Sequence, residues 1–391
     1  MEEAVCRIGL TLIEGVGDVN AKALLAYCGS AREVFLQKKS HLLKIPGIGP
    51  ATTSSILKSK TVLKRAEEEL AFIEKYHITP LFFTDENYPV RLKHCDDGPL
   101  MLYFKGNANL NADKVIAIVG TRSPSDYGKE KTAEIVSDLQ STGALIVSGL
   151  AYGVDTLAHK SALEVGLNTV GVLGHGLDRI YPMANNRLAR RMLSHGGLLT
   201  DFRSGTMPDA VNFPKRNRIV AGLCDALIMI ESRRTGGSLI TATIANSYSR
   251  DVFALPGRAG EPMAEGGNGL IKRNSAALIE TAEDLVQAMR WQTDDKPQKS
   301  SSQLKLAVNL THEERLVLSL LSGNDVLHID EICVAAQMPV SKVAAILLQL
   351  EFYQLVRSKP GKMYSVWGTS RRKWINRCSS QIHYNLVLLH L

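Results

Sequence analysis

The residues best suited to chemistry are glycines and cations that recur together between positions 115 and 259. Gly120-Thr121-Arg122 follows the apolar run Val115–Val119. Ser148-Gly149-Leu150-Ala151-Tyr152-Gly153-Val154-Asp155 comes next, with Ala158-His159 one turn on. Gly174-His175-Gly176-Leu177-Asp178 follows with Tyr181-Pro182 and Asn185, then Phe213-Pro214-Lys215-Arg216-Asn217-Arg218. Glu231 leads into Arg233-Arg234-Thr235-Gly236-Gly237-Ser238 with Thr241-Ala242, and Ala254-Leu255-Pro256-Gly257-Arg258 closes the series. Glycine lets backbone N–H groups approach an anion, and arginine adds a bidentate contact. One such loop says little. Several in a row, each where a strand hands over to a helix, suggest a phosphate-rich ligand.

Each loop also has a plainer reading. Arg122 can be a solvent-facing residue on an ordinary turn, and Phe213 can sit in the core with one arginine paired internally. Asp155 suits a helix N-terminus and would cap or orient its loop. His159 has no nucleophile or metal partner in view, so it reads as a hydrogen-bonded structural histidine, and Asp178 as the holder of its own turn. The 213–218 segment differs in kind. An aromatic followed by Lys215, Arg216 and Arg218 suits a single strand, with its backbone neutralised and a base on the ring.

Several function classes fall away. No loop matches GxxxxGK[ST], so a P-loop motor is not indicated, and no GxGxxG with a downstream acid supports a nicotinamide enzyme. The six cysteines are scattered without CxxC spacing, and no His/Cys/carboxylate cluster has metal-ligand spacing. The loops hold no pair of titratable groups of the kind acid-base catalysis needs. The expectation is a binding protein, neither an enzyme nor a user of a cofactor. The net charge of +7 permits a polyanionic partner without requiring one. No apolar stretch is long enough to span a bilayer, and Met1-Glu2-Glu3 opens without a basic region or apolar run, so the expected location is cytoplasmic.

The elements that must position these loops follow from periodicity. Strands are expected at Val115–Val119, Ala144–Ser148, Asn168–Leu173, Gly197–Thr200, Ala226–Ile230 and Asp251–Ala254. Helices are expected at Gly128–Thr142, Gly153–Val165, Asn185–Ser194, Asn217–Leu223 and Leu239–Arg250. Continuous apolar strands alternating with helices imply an α/β fold, a doubly wound, mostly parallel sheet covered on both faces, over residues 113–290.

Residues 1–78 read as a helical domain with two similar turns, Ile13-Glu14-Gly15-Val16-Gly17 and Ile45-Pro46-Gly47-Ile48-Gly49, each opening a helix. They resemble helix-hairpin-helix motifs. The glycines either offer amides to a phosphate or only permit a tight turn, and the sequence leaves both open. Thr61–Tyr76, with Glu67-Glu68-Glu69, reads as a charged helix leading out. Residues 79–112 read as a connecting segment with one or two short strands, packed on the next domain. A linker is expected at 291–304 and a tail of little periodicity, open to disorder, at 369–391. Between them, over 305–368, three helices (Thr311–Leu321, His328–Ala335, Ser341–Glu351) and a hairpin around Lys359-Pro360-Gly361 make a winged helix. Its third helix carries a single cation, Lys342, which favours a protein contact over DNA.

Together these motifs resemble the DNA-processing protein A family (DprA, also called Smf). The hallmarks stand in order: the Gly120-Thr121-Arg122 turn, Ser148–Asp155 with Ala158-His159, Gly174–Pro182, Phe213–Arg218, and Gly237–Ala242. The resemblance implies an extended Rossmann-like domain flanked by an N-terminal helical domain of SAM or helix-hairpin-helix type and a C-terminal winged helix. It also implies single-stranded DNA binding, protection of that DNA in natural transformation, loading of RecA recombinase, and a homodimer formed through the Rossmann-like domain. Carried over, Gly120, Thr121 and Arg122 would contact phosphates and Phe213 would lie beside a base. Lys215, Arg216, Asn217 and Arg218, with the Gly236-Gly237-Ser238 turn, complete the expected interface on chemical grounds. One departure stands out. Where many members carry a lysine three residues before the Phe, this chain has Ala210, so part of the positive pocket is missing or comes from another residue such as Lys215.

The competing class is a nucleotide-processing enzyme of phosphoribohydrolase type, which would need Glu231 or Asp178 poised at a glycosidic bond. A sensor of small nucleotides is a third reading of the same loops.

Overall fold

Val115–Val119 forms a fully buried strand whose residues feed two cores in alternation. Val115, Ala117 and Val119 face one hydrophobic layer and Ile116 and Ile118 face the other, the period of two that a sheet covered on both faces demands. Each of the valines and isoleucines is worth about 1.5–3 kcal/mol when fully buried, so this strand anchors the domain. The computed structural model describes residues 2–291, 310–322, 326–353 and 355–366. The chain divides into two compact units, Met1–Asp295 and Lys296–Leu391. The expected linker, apart from Trp291, and the expected tail lie outside the described residues.

The first unit is built on a nine-stranded sheet: β1 (Thr79–Phe82), β2 (Met101–Gly106), β3 (Val115–Val119), β4 (Leu145–Ser148), β5 (Thr169–Val172), β6 (Gly196–Thr200), β7 (Ala226–Met229), β8 (Asp251–Ala254) and β9 (Ala277–Leu278). Their spatial order is β1-β2-β6-β5-β4-β3-β7-β8-β9. From β6 to β9 all neighbours are parallel, whereas β1 and β2 join antiparallel at one edge. The chain winds from β3 out to β6, then returns to lay β7 on the other side of β3. This doubly wound α/β sheet therefore has its switch point between β3 and β7, where the crevice at the strands' carboxyl ends opens.

Two expectations need correction here. Residues 79–112 do not merely pack on the sheet, because β1 and β2 hydrogen-bond into it as its antiparallel edge. The helix expected at Asn217–Leu223 begins at Asn212, so Phe213 lies in its first turn. Pro214 fits this first turn, where a backbone N–H would have no helical partner.

The N-terminal helices belong to the same unit. Gly15 and Gly47 both have left-handed φ, +80° and +81°. Gly15 faces Thr52 of the second hairpin and Gly47 faces Asn20 of the first, so each turn packs against the helix that the other opens. The Lys60–Lys75 helix is not simply a charged exit. Its Glu69 is only 2% exposed and reaches the sheet domain.

The second unit contains helices His312–Ser322, Ile329–Ala336 and Val340–Phe352 with a three-stranded sheet: β10 (Leu327–His328), β11 (Val356–Lys359) and β12 (Met363–Val366), in the order β10-β12-β11. Thr311 and Glu314 form a capping box, Thr311 N–H donating to Glu314 Oε2 at 2.7 Å and Glu314 N–H to Thr311 Oγ1 at 3.3 Å. The third helix starts at Val340, directly after Pro339. This is a winged helix. The five cysteines among the described residues are free thiols, none of those residues form a cluster able to hold a metal ion, and no single helix among them is long and apolar enough to cross a membrane.

Candidate nucleic-acid interface

The loops at the carboxyl ends of β3, β4, β5 and β7 interlock. Thr121 N–H donates to the Glu231 carbonyl at 2.8 Å, joining the loop after β3 to the end of β7. Val154 N–H donates to the Thr121 carbonyl at 3.1 Å. Gly153, at φ +77°, lies so close to the Thr121–Arg122 backbone that any Cβ would collide with it. Arg122 is thereby held at the mouth of the crevice.

Beside it is a narrow cleft lined by Arg122, Tyr152, Gly174, His175, Tyr181, Phe213 and Arg216. The Arg122 guanidinium lies over the Phe213 ring, 5.6 Å from its centroid. The Tyr181 ring follows at 6.0 Å, tilted by 34°. Gly174 gives Phe213 its place, since a Cβ there would stand 3.0 Å from the ring. Arg216, 5% exposed, donates from Nη1 to the Gly149 carbonyl at 2.5 Å and to the Val172 carbonyl. Gly149 must be glycine for this, because a Cβ would meet the guanidinium. Asp155 accepts the Gly149 and Ala151 amides at 3.1 and 3.3 Å and faces the Arg216 charge. Two guanidinium groups beside two aromatic rings can neutralise a phosphate and hold an adjacent base on one surface.

Of the residues expected at the interface, Gly120, Thr121, Arg122, Phe213 and Arg216 come together here, although Gly120 and Thr121 shape the loop without lining the cleft. Arg216 is a wall of the cleft rather than an exposed cation. Asn217 supports it, accepting from Arg216 Nε at 3.2 Å. Lys215 is exposed on the helix and does not line the cleft. Arg218 requires a correction: its guanidinium is spent on Asp18 at 3.0 Å, Asp201 at 2.9 Å and the Asp97 carbonyl, so it faces the N-terminal helices and not a ligand. Burial opposes its charge, but the two aspartates more than offset this and raise its pKa. Gly236, Gly237 and Ser238 form a separate turn after β7, where Ser238 Oγ donates to Ser232 Oγ at 3.0 Å beside the exposed Arg233 and Arg234. Ala210 is exposed on the loop before Phe213, and the second cation of the cleft is Arg216.

Tyr152 and Tyr181 were missed as site residues, although their place inside glycine-rich loops was a usable signal. The titratable groups have structural tasks. Burial pushes the His159 pKa down to about 3, and its Nδ1–H donates to Thr169 Oγ1 at 2.6 Å, because that hydroxyl gives its own proton to the Ile146 carbonyl. His175 is likewise lowered by burial, with Nε2 accepting the Tyr181 amide at 3.2 Å. Burial alone would raise Asp178, but the Gly205 amide and Arg179 hold it below the usual carboxylate range. Glu231 accepts Ser125 N–H at 2.9 Å and Ser125 Oγ–H at 2.5 Å, capping the Asp126–Asp138 helix.

The first unit is thus a Rossmann-like, doubly wound sheet whose crevice presents arginines and aromatic rings. The family model for DNA recombination-mediator protein A matches residues 79–290, and that for the DprA winged helix domain matches 302–362. The chain belongs to this DprA/Smf family. It is 35% identical over 304 residues to Protein Smf of Escherichia coli K12, covering 76% of this chain and 80% of that one. The X-ray structure of DNA processing protein A from Streptococcus pneumoniae superposes with a TM-score of 0.62 at 29% identity, covering 74% of this chain and 98% of that one. A structure of DNA processing protein A from Helicobacter pylori, described for its single-stranded DNA binding mode, aligns with a TM-score of 0.50 at 31% identity over 55% of this chain and 96% of that one.

Proposed function

We propose that this protein binds single-stranded DNA along the carboxyl edge of its sheet and passes it to a RecA-type recombinase during natural transformation, without chemistry of its own. The observation that carries the reading is the stack of Arg122 on Phe213 beside the buried Arg216. Arg122 and the Gly120-Thr121 turn take phosphates, and Phe213 takes a base. Lys215 and the Gly236-Gly237-Ser238 turn, with Arg233 and Arg234, continue the cationic edge. The Helicobacter pylori relative supports the choice of a single strand. The assignment of Glu231 and Asp178 to capping and turn roles supports a non-enzymatic role. Family membership supports the recombinase and the homodimer through the sheet domain.

Binding to a single strand and to a duplex of equal length, compared by mobility shift at matched salt, tests this reading. The single strand binds more tightly, and the affinity falls steeply with salt. Equal or stronger duplex binding contradicts it. Adding RecA to a strand coated by single-strand-binding protein tests the hand-off, since faster filament growth in the presence of this protein is expected. Sedimentation of the full chain tests the dimer.

The winged helix is better suited to a protein partner than to DNA. Its Val340–Phe352 helix exposes Leu348 (69%) and Phe352 (82%), and its one cation, Lys342, is paired with Glu313.

A further inference from the structure

The N-terminal helices send two acids into the sheet domain, and each lands on a different segment that carries the cleft. Glu69, in the Lys60–Lys75 helix, accepts Ser204 N–H at 2.8 Å on Oε1 and Ser204 Oγ–H at 2.5 Å on Oε2. Arg65, one turn earlier, donates to Glu69 at 2.7 Å and to the Ser204 carbonyl at 2.9 Å. Every polar group of Ser204 is thus taken by two side chains of one helix. The residues next to Ser204 grip the loop after β5: Gly205 N–H donates to Asp178 at 3.0 Å, and Thr206 accepts the Gly176 amide at 3.2 Å. That loop supplies Gly174 and His175 to the cleft.

Asp18 opens the Asp18–Cys28 helix. Its Oδ1 accepts the Leu100 amide at 2.8 Å, and its Oδ2 accepts Arg218 Nη2 at 3.0 Å. Arg218 stands on the Asn212–Leu223 helix, which carries Phe213 and Arg216. One wall of the cleft is therefore tied to Glu69 and the facing wall to Asp18. Gly174 and Phe213 pack so closely that a shift of either wall would change the ring's seat and the Arg122 stack upon it.

We propose that Asp18 and Glu69 are positioning residues for strand binding, so that the N-terminal helical layer sets the geometry of a cleft it does not line. The inference rests on the single-strand reading above. Fixing both walls before the ligand arrives removes an ordering cost from binding. Neither acid touches the ligand, so the number of phosphates neutralised does not depend on them.

The test uses the full chain with Asp18→Asn, Glu69→Gln and Ser204→Ala, each checked for folding by circular dichroism, and a fluorescein-labelled oligo-dT titrated by anisotropy over a salt series. Each folded variant is expected to bind about tenfold more weakly, the lower end of the loss that follows when groups orienting a site are removed. The slope of log affinity against log salt stays at the wild-type value, because no phosphate contact is lost. Arg218→Lys, which retains a charge for Asp18, recovers part of the affinity lost in Arg218→Ala. Should Glu69→Gln fail to fold, Ser204→Ala removes only the hydroxyl partner of the same contact. Folded variants that bind like the wild type overturn the proposal and leave the acids as glue between layers. A wild type that does not bind the strand overturns the single-strand reading itself, and an Arg122→Ala variant that binds as well as the wild type moves the interface away from this cleft; either result takes this inference with it.

Discussion

The guanidinium carbon of Arg122 stands 5.6 Å from the centroid of the Phe213 ring, although one residue follows β3 and the other opens the Asn212–Leu223 helix. A cation on the face of a ring is attracted to it, and the ring becomes the floor on which a base can lie while the cation meets the neighbouring phosphate. That pairing joins charge to stacking in one cleft.

Phe213→Ala removes the platform. Base stacking on an aromatic side chain is worth about 1–3 kcal/mol, so affinity for oligo-dT should fall roughly fivefold to 150-fold, while Phe213→Tyr keeps most of it. Anisotropy titration checks this, and an alanine variant that binds like the wild type would show that the ring is packing alone.

Gly149→Ala places a methyl where the Arg216 guanidinium lies. Overpacking of this kind costs about 1–3 kcal/mol, and here it also dislodges a cation of the cleft. Both the unfolding midpoint in urea and the strand affinity should drop. A variant with wild-type stability and affinity would mean that Arg216 can move aside without consequence.

Glu231→Gln separates capping from catalysis. Loss of the charge-assisted bonds to Ser125 should destabilise the fold by about 1–3 kcal/mol without affecting any hydrolysis, because none is expected. Incubation of the wild type with nucleoside monophosphates should release no free base. Base release that Glu231→Gln abolishes would restore the enzyme reading.

His159 makes stability depend on pH. Its folded pKa, about 3, lies below the ordinary histidine value of 6.5, so the unfolded chain binds the proton more readily and stability is lost as pH falls through 6.5 towards 3. At pH 5 the loss from this residue alone amounts to about 2 kcal/mol. His159→Gln should lose less stability between pH 7.5 and 5 than the wild type in urea titrations. Equal losses would show that other groups carry the acid sensitivity.

Much of the fold was legible because β3, β4, β5 and β7 are continuous apolar runs ending in glycine turns, which only a sheet covered on both faces accommodates. The β1–β2 edge was harder to see, since short antiparallel strands between turn signals look like a connection. Arg122 and Phe213 could be found because glycine-rich turns and an aromatic among cations are local signals. Arg216 and Arg218 could not be assigned in the same way. Both stand in one basic run, yet one points into the cleft and the other reaches Asp18 and Asp201, a choice made by residues 200 positions apart in sequence and only 3.0 Å apart in space. Glu69 was hidden likewise, since a run of three glutamates reads as a solvated face until Ser204 is brought against it.

The most direct measurement is the affinity of wild type and Arg122→Ala for a labelled oligo-dT across a salt series. The account predicts weaker binding by the variant at every salt, by about tenfold or more at low salt, with a slope of log affinity on log salt shallower by roughly 0.7, the share of one phosphate on a single strand. Equal affinity and equal slope would contradict it and move the interface away from this cleft.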